Sequence, residues 1–223
     1  MKKAIIAISG GIDSAVAAFI AKNEGYDLYF LTVNYGQKNI KKELLNSSRL
    51  AEILNAKEHK IIDMKWLGEL GNSGITDTNI HFENVSDDFI YVPYRNTCII
   101  TSCVAWAEVI NADVIYTGSE AGPWICPDNS PEYYQAINNL VSLSTKLNKK
   151  VKVVAPLNYS DKIGNIKKGI QLNVPFEFTW TCVANDDIAC GICQPCRDRL
   201  RAFKKLGIKD PIEYEREVEC DER

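Results

Sequence analysis

Residues 4–21 read Ala4-Ile5-Ile6-Ala7-Ile8-Ser9-Gly10-Gly11-Ile12-Asp13-Ser14-Ala15-Val16-Ala17-Ala18-Phe19-Ile20-Ala21. The apolar run Ala4–Ile8 predicts a short strand, and the apolar helical pattern from Ala15 to Ala21 predicts a helix. A strand that breaks on two glycines and restarts as a helix makes a cup of backbone N–H groups at the positive end of the helix dipole. Such a cup suits phosphate. Gly10 and Gly11 let the backbone approach oxygen closely, and Ser9 and Ser14 add hydroxyl donors. Asp13 is the odd residue, because a carboxylate repels phosphate. Its sensible role is to meet a cation that the phosphates also meet, namely Mg²⁺. The loop lacks the lysine of a Walker motif and the glycine spacing of a dinucleotide fingerprint. The bland reading is a Gly-Gly turn with an Asp near the helix start.

The rest of the chain places this loop. Leu28–Val33 is an uninterrupted apolar run, as in a strand buried on both faces. Residues 40–54 repeat apolar positions at helical spacing, with Glu43 and Glu52 read as facing outward. His59–Ile62 is a third strand, residues 96–110 an apolar helix, and Asp113–Gly118 a fourth strand. Ser130-Pro131-Glu132 opens a helix to about Leu147, with serine as cap and proline as first helical residue. Val151–Val154 is a fifth strand, and Asp161 caps a helix to about Leu172. Strand–helix alternation with buried strands predicts an α/β fold, a doubly wound parallel five-stranded sheet. Ligands in such sheets lie outside the strand carboxyl ends, where Ser9–Ser14, Tyr35–Gln37 and Gly118–Glu120 fall. Residues 68–90, rich in Gly, Asn, Asp and Ser, break the pattern and are read as a flap over the site or a dimer contact.

Composition bounds the function. The 223 residues form one large domain or one domain with an appendage, and 46% hydrophobic content fills a substantial core. A net charge of −3 leaves no basic footprint for nucleic acid. The start Met1-Lys2-Lys3 does not read as a signal peptide, since Asp13 interrupts the would-be apolar core, and no stretch approaches the ~20 apolar residues expected of a membrane span. A cytoplasmic protein is expected. Its eight cysteines then point to metal or reactive thiols rather than disulfides.

Cys182, Cys190, Cys193 and Cys196 form Cys-x₇-Cys-x₂-Cys-x₂-Cys. This spacing suits a closed tetrahedral zinc site with no open position for catalysis. An iron–sulfur cluster, a redox pair and plain buried thiols are the competing readings. Arg197, Arg199 and Arg201 follow at once, where a helix's first turn disfavours cations, so an adjacent anionic thiolate cluster is the expected reason for them. Residues 1–175 thus read as a nucleotide-binding domain and 176–223 as a small zinc-binding module. Cys98 and Cys103 read as core thiols, and Cys126 lies in a loop facing the site.

Ser9–Ser14 resembles the pyrophosphatase loop, Ser-Gly-Gly-x-Asp-Ser, of ATP enzymes that adenylate a substrate, and the implied fold is that of the adenine nucleotide α-hydrolases. With the cysteine spacing, Asn34-Tyr35-Gly36-Gln37, Val92–Asn96, Thr117-Gly118, Pro127-Asp128, Pro156-Leu157 and Lys162, the chain resembles the 7-cyano-7-deazaguanine synthase family of queuosine biosynthesis over nearly its whole length. The resemblance implies that a 7-carboxy-7-deazaguanine, ATP and ammonia give an amide and then a nitrile, with AMP and pyrophosphate released. It implies Mg²⁺ with ATP, structural zinc on Cys182, Cys190, Cys193 and Cys196, and a homodimer. ATP would be held by Ile8, Ser9, Gly10, Gly11, Ile12, Asp13, Ser14, Ala15, Tyr35, Gln37 and Gly118. Asp13, Lys162 and Arg95 would serve the chemistry, and Glu120 and Asp128 the purine-like ring. The chain departs from the family where Asn129-Ser130 follow Pro127-Asp128 instead of Cys-Arg, in the loop Ala121–Ile125, and at Tyr94, where the family usually has Gly. These changes leave open transfer of the acyl group to another amine, even one on a protein. Two rival readings are a tRNA-modifying pyrophosphatase-loop enzyme and a zinc-knuckle nucleic-acid binder.

Overall fold

The computed structural model describes residues 2–71, 73–80, 90–120, 126–146 and 151–216. Strands β1 (Lys3–Ala7), β2 (Asp27–Asn34), β3 (Glu58–Asp63), β4 (Val114–Tyr116) and β5 (Lys152–Val154) form one sheet in the order β3-β2-β1-β4-β5, and every pair is parallel. Side chains alternate across it. Ala4, Ile6, Phe30 and Tyr116 enter one core, while Ile5, Leu31, Ile115 and Val153 enter the other. Because both faces are covered, the strands read as continuous apolar runs rather than alternating ones.

Helices α1 (Ile12–Asn23), α2 (Ile40–Ile53), α6 (Lys162–Gln171) and α7 (Gln194–Lys205) cover the first face through Val16, Leu50, Ile166 and Phe203. The short α3 (Lys65–Glu69) contributes Leu67 to the second face, with Ile100 from α4 (Arg95–Ile110) and Val141 from α5 (Pro131–Ser144). The sheet is therefore doubly wound, as the alternation predicts. Strand order reverses between β1 and β4, which opens a crevice at their carboxyl ends. Ser130 caps α5 by accepting from Tyr133 N, and Asp161 caps α6 by accepting from Gly164 N at 2.8 Å. β4 is shorter than the run Asp113–Gly118; Thr117 N still donates to Val154 O at 3.0 Å, and Thr117 and Gly118 line the crevice. α5 ends at Ser144, where Thr145 turns to extended backbone, about three residues short of the expected end near Leu147; residues 81–89 of the expected flap lie outside the described residues. Of that segment, Ser73–Asp77 form a turn that buries Ile75 against the second core. Among the described residues, no helix is long and apolar enough to cross a membrane.

The arginines of α7 require a correction. Arg199 is fully buried and answers Asp210, not the thiolates: its Nε donates to Oδ2 at 2.7 Å and its Nη2 to Oδ1 at 2.9 Å. Its remaining N–H groups donate to Thr179 O and Phe176 O, both at 3.0 Å. Arg201 pairs with Asp198 at 3.6 Å. Arg199 thus fastens α7 to residues 176–180, and Trp180 N in turn donates to Gly10 O at 2.8 Å. Asp210→Ala leaves a buried guanidinium without its anion and is expected to lower stability by about 3–5 kcal/mol in urea unfolding.

Candidate active site and metal centre

The crevice is a cleft of about 350 Å³ lined from both halves of the sheet. The loop after β1 turns on Gly10, which has φ +76, and a Cβ there would lie 2.9 Å from Glu43 O of α2. Ser9 and Ser14 brace the cup: Ser9 N donates to Ser14 Oγ at 3.2 Å, and Ser14 Oγ donates to Gly11 O at 3.1 Å. Ile8, Ser9, Gly11, Asp13, Ser14, Tyr35 and Gly118 line the cleft. Ile12 and Ala15 point instead into the first core. Gln37 is buried and shapes the turn after β2, accepting from Tyr35 N at 2.9 Å and donating to Glu43 Oε2 at 2.7 Å. Gly118 is needed for a different reason. A Cβ there would lie 2.5 Å from Ser14 N, so the β4 loop touches the backbone of the cup. Gly118→Ala is expected to destabilise the fold by about 1–3 kcal/mol through overpacking. It should also weaken ATP binding about 10-fold in calorimetry by displacing Ser14.

Asp13 is held by α6. Lys162 Nζ donates to Asp13 Oδ2 at 2.5 Å and to Glu120 Oε1 at 2.8 Å, and Asn165 Nδ2 donates to Asp13 Oδ1 at 2.9 Å and Glu120 Oε2 at 3.0 Å. Lys162 and Asn165 sit three residues apart on one helix face, so a single helix clamps both carboxylates. Burial and then the Asp13 charge push the Glu120 carboxyl up to about 7, against the pull of Lys162. Burial lowers the Lys162 pKa, but Asp13 and Glu120 outweigh it and hold the ammonium above its ordinary value. Two carboxylates sharing one lysine leave an excess of negative charge, which a divalent cation relieves. Lys162 is therefore held between two carboxylates, and Glu120 belongs with Asp13.

A second cluster lines the cleft around Arg95, the first residue of α4. Its Nη1 donates to Tyr35 Oη and its Nε to Asn96 Oδ1, both at 3.3 Å, and its guanidinium lies over the Tyr35 ring, 5.4 Å from the centroid. Glu43, expected to face outward, lines this part of the cleft instead. Burial raises its carboxyl to about 7, against the Gln37 hydrogen bond and the Arg95 charge. The signal for it was in the sequence: Glu43 precedes the buried Ser47 and Leu50 by four and seven residues, on the inner face of α2. Cys126 lines the cleft too. Asp128 does not. Its carboxylate accepts from Thr97 N at 2.9 Å and Asn96 Nδ2 at 3.2 Å, so it fixes the start of α4 rather than facing a ligand. Tyr94 before it adopts φ 60, the left-handed conformation that favours glycine, so this chain keeps the backbone of a glycine turn with a tyrosine in it. Asn129 lines the cleft and Ser130 caps α5; the departing loop Ala121–Ile125 lies outside the described residues.

The four cysteine sulfurs lie within 4.8 Å of one another and all four residues are buried. Tetrahedral bonds of about 2.3 Å place sulfurs about 3.8 Å apart, so the cluster fits one ion. Backbone N–H groups of Asn185 and Cys190 donate to Cys182 Sγ, and Cys193 N donates to Cys190 Sγ, each at 3.4 Å, contacts that orient these sulfurs. Gly191, with φ +77, makes the turn between ligands. Trp180, Thr181 and Val183, next to Cys182, form a wall of the cleft. Cys103 is core, as expected, and Cys98 packs partly buried against that core.

Comparison with known proteins gives the family and the fold. A family model described as queuosine biosynthesis protein QueC matches residues 3–207. A 7-cyano-7-deazaguanine synthase of Methanospirillum hungatei is 38% identical over 95% of this chain and 99% of its own length. One from Methanoculleus marisnigri is 36% identical over 97% of this chain and 100% of its own. Among solved structures, a protein described as a predicted subunit of tRNA methyltransferase from Methanocaldococcus jannaschii superposes with a TM-score of 0.51 at 16% identity, over 98% of this chain and 100% of that one. A 4-thiouridine synthetase, solved with RNA and bound ATP, does so at 0.51 and 18% identity, over 92% of this chain and 50% of that one. These structures share the fold; the family rests on the sequence relatives. The chain belongs to the QueC family of queuosine biosynthesis proteins.

Proposed function

We propose that this chain is an ATP-dependent synthase that converts 7-carboxy-7-deazaguanine, with ammonia, to the corresponding nitrile. The observation that carries it is the joining of Asp13, Glu120 and Lys162 at the mouth of the phosphate cup. A carboxylate oxygen of the acid attacks the α-phosphorus of ATP and pyrophosphate leaves. Ammonia adds to the acyl carbon, and AMP departs with that oxygen. The amide oxygen then attacks a second ATP, and loss of a second AMP and the amide protons leaves the nitrile. No side chain need act as nucleophile. The chain must align oxygen with phosphorus and neutralise the charge that develops.

The Gly11 and Ser14 backbone and the two serine hydroxyls hold phosphate oxygens. Lys162, already charged in its buried site, neutralises departing pyrophosphate. Asp13 and Glu120 are the residues that would hold Mg²⁺, which on binding supplies a positive charge shared with the phosphates. Cys182, Cys190, Cys193 and Cys196 would hold zinc in a structural role. Residues 1–175 carry the ATP chemistry in this reading and 176–223 the metal. The proposal includes a homodimer in the cytoplasm, and Leu140 and Leu143, 52% and 85% exposed on α5, are side chains that a second copy would cover.

The test is product stoichiometry with the acid, ATP and ammonium. Two AMP and two pyrophosphate per nitrile are expected. Formation of ADP, or no AMP with this acid, overturns the reading.

A further inference from the structure

The Arg95 end of the cleft is incomplete in a specific way. Among the described residues, Arg95 is the cation that lines the cleft, and its hydrogen bonds to Tyr35 and Asn96 are all long, at 3.3 Å. Glu43 faces the same space. Its Oε2 accepts from Gln37 at 2.7 Å, and Gln37 in turn donates to Val33 O at 3.1 Å. The carboxylate is thereby fixed in direction by a buried amide, with lone pairs left for a ligand. The packing of α2 against Gly10 ties its position to the phosphate cup. Apolar side chains, Ile75, Ile99 and Val183, line the space beside these two charges. A flat ring inserted there meets an acceptor from Glu43 and a donor from Arg95.

We propose that Glu43 and Arg95 read the aminopyrimidinone edge of the acid: Glu43 accepts from the ring N–H and the exocyclic amine, and Arg95 donates to the ring carbonyl. The assignment rests on the function proposed above and replaces Glu120 and Asp128 as readers of the ring. A carboxylate matches two adjacent donors, and a guanidinium matches a carbonyl. The edge of adenine offers one amine beside a ring nitrogen that is an acceptor. Glu43 would repel that nitrogen, so the same pair discriminates against placing the nucleotide base here. Glu43 and Arg95 are thus specificity-determining residues, separate from the Asp13–Lys162–Glu120 cluster.

The test is calorimetric titration of the full, zinc-loaded chain with 7-carboxy-7-deazaguanine and with its 2-deamino counterpart, which lacks the exocyclic amine. The wild type should bind the amino form about 100-fold more tightly, since a site built for an N–H rejects the analogue that lacks it. Glu43→Gln should narrow this gap to about 3-fold, by weakening the amino form, and leave ATP affinity within about 3-fold. Arg95→Met should weaken both acids alike, because both carry the carbonyl. Equal binding of the two acids by the wild type overturns the proposal without any variant, so a failure of Glu43→Gln to fold does not shelter it. An unchanged gap in Glu43→Gln, or a loss confined to ATP affinity, also overturns it. Discrimination without AMP formation would sink the proposed reaction while leaving this pair in place; AMP formation without discrimination would do the reverse.

Discussion

Chelating the metal from the four-cysteine site, or replacing Cys193 by serine, is expected to unfold residues 180–216 and to abolish ATP-dependent turnover. Four buried sulfurs within 4.8 Å of one another are not all ionised without a cation among them, because like charges so close and so buried repel one another. A structural zinc supplies on the order of 10 kcal/mol, comparable to the whole stability of a domain, so its loss is not absorbed locally. The damage reaches the nucleotide site by a short route. Trp180 N donates to Gly10 O at 2.8 Å, and Thr181 and Val183 line the cleft. Asn39 Nδ2 donates to Cys182 O at 2.8 Å, which joins the start of α2 to the four-cysteine cluster. Hydrogen exchange should show lost protection over residues 180–216, with partial loss in the loop at Gly10. A chelated protein that keeps its cooperative transition and its ATP affinity would show that the cysteines are buried thiols only.

Asp13→Ala is the second large effect. It should reduce AMP formation by about 10²–10³-fold at saturating ATP, the range seen when one preorganised electrostatic group is removed from a reacting centre. The fold should be affected much less. Lys162 keeps Glu120 at 2.8 Å, and Asn165 keeps its bond to the same carboxylate at 3.0 Å. With Asp13 gone, the repulsion that helps raise Glu120 disappears, so Glu120 should ionise at lower pH than in the wild type. Asp13→Asn preserves shape but not charge, and should be nearly as inactive if the role of Asp13 is electrostatic. Pyrophosphate release measured across Mg²⁺ concentrations tests this. Wild-type rates in Asp13→Ala would remove the residue from the reaction.

The fold was legible because its signals are local. Apolar runs, the Gly10-Gly11 break and the Ser130 and Asp161 caps each act within a few residues, and each marks an element the structure contains. The cysteine cluster was legible for the same reason, since its ligands span fifteen residues. What escaped depends on distant pairing. Asp210 as the partner of Arg199 requires the chain to return across the end of α7, and a charge argument from neighbours alone assigned that arginine to the thiolates. Glu43 was misread because glutamate near a helix start is usually solvated, although its phase with Ser47 and Leu50 points inward. The resemblance implied ring contacts for Asp128 and Glu120, because a carboxylate pairs with an amidine edge. In the structure one fixes the start of α4, and the other joins Asp13 and Lys162.

In the proposed reaction the acid is activated by transfer of its own oxygen to the α-phosphorus. With the carboxylate of the acid labelled by ¹⁸O, mass spectrometry of the nucleotide product tests it directly. One labelled oxygen is expected in each AMP released, at both the amide and the nitrile stage. Unlabelled AMP, or label appearing in phosphate with ADP, would contradict it.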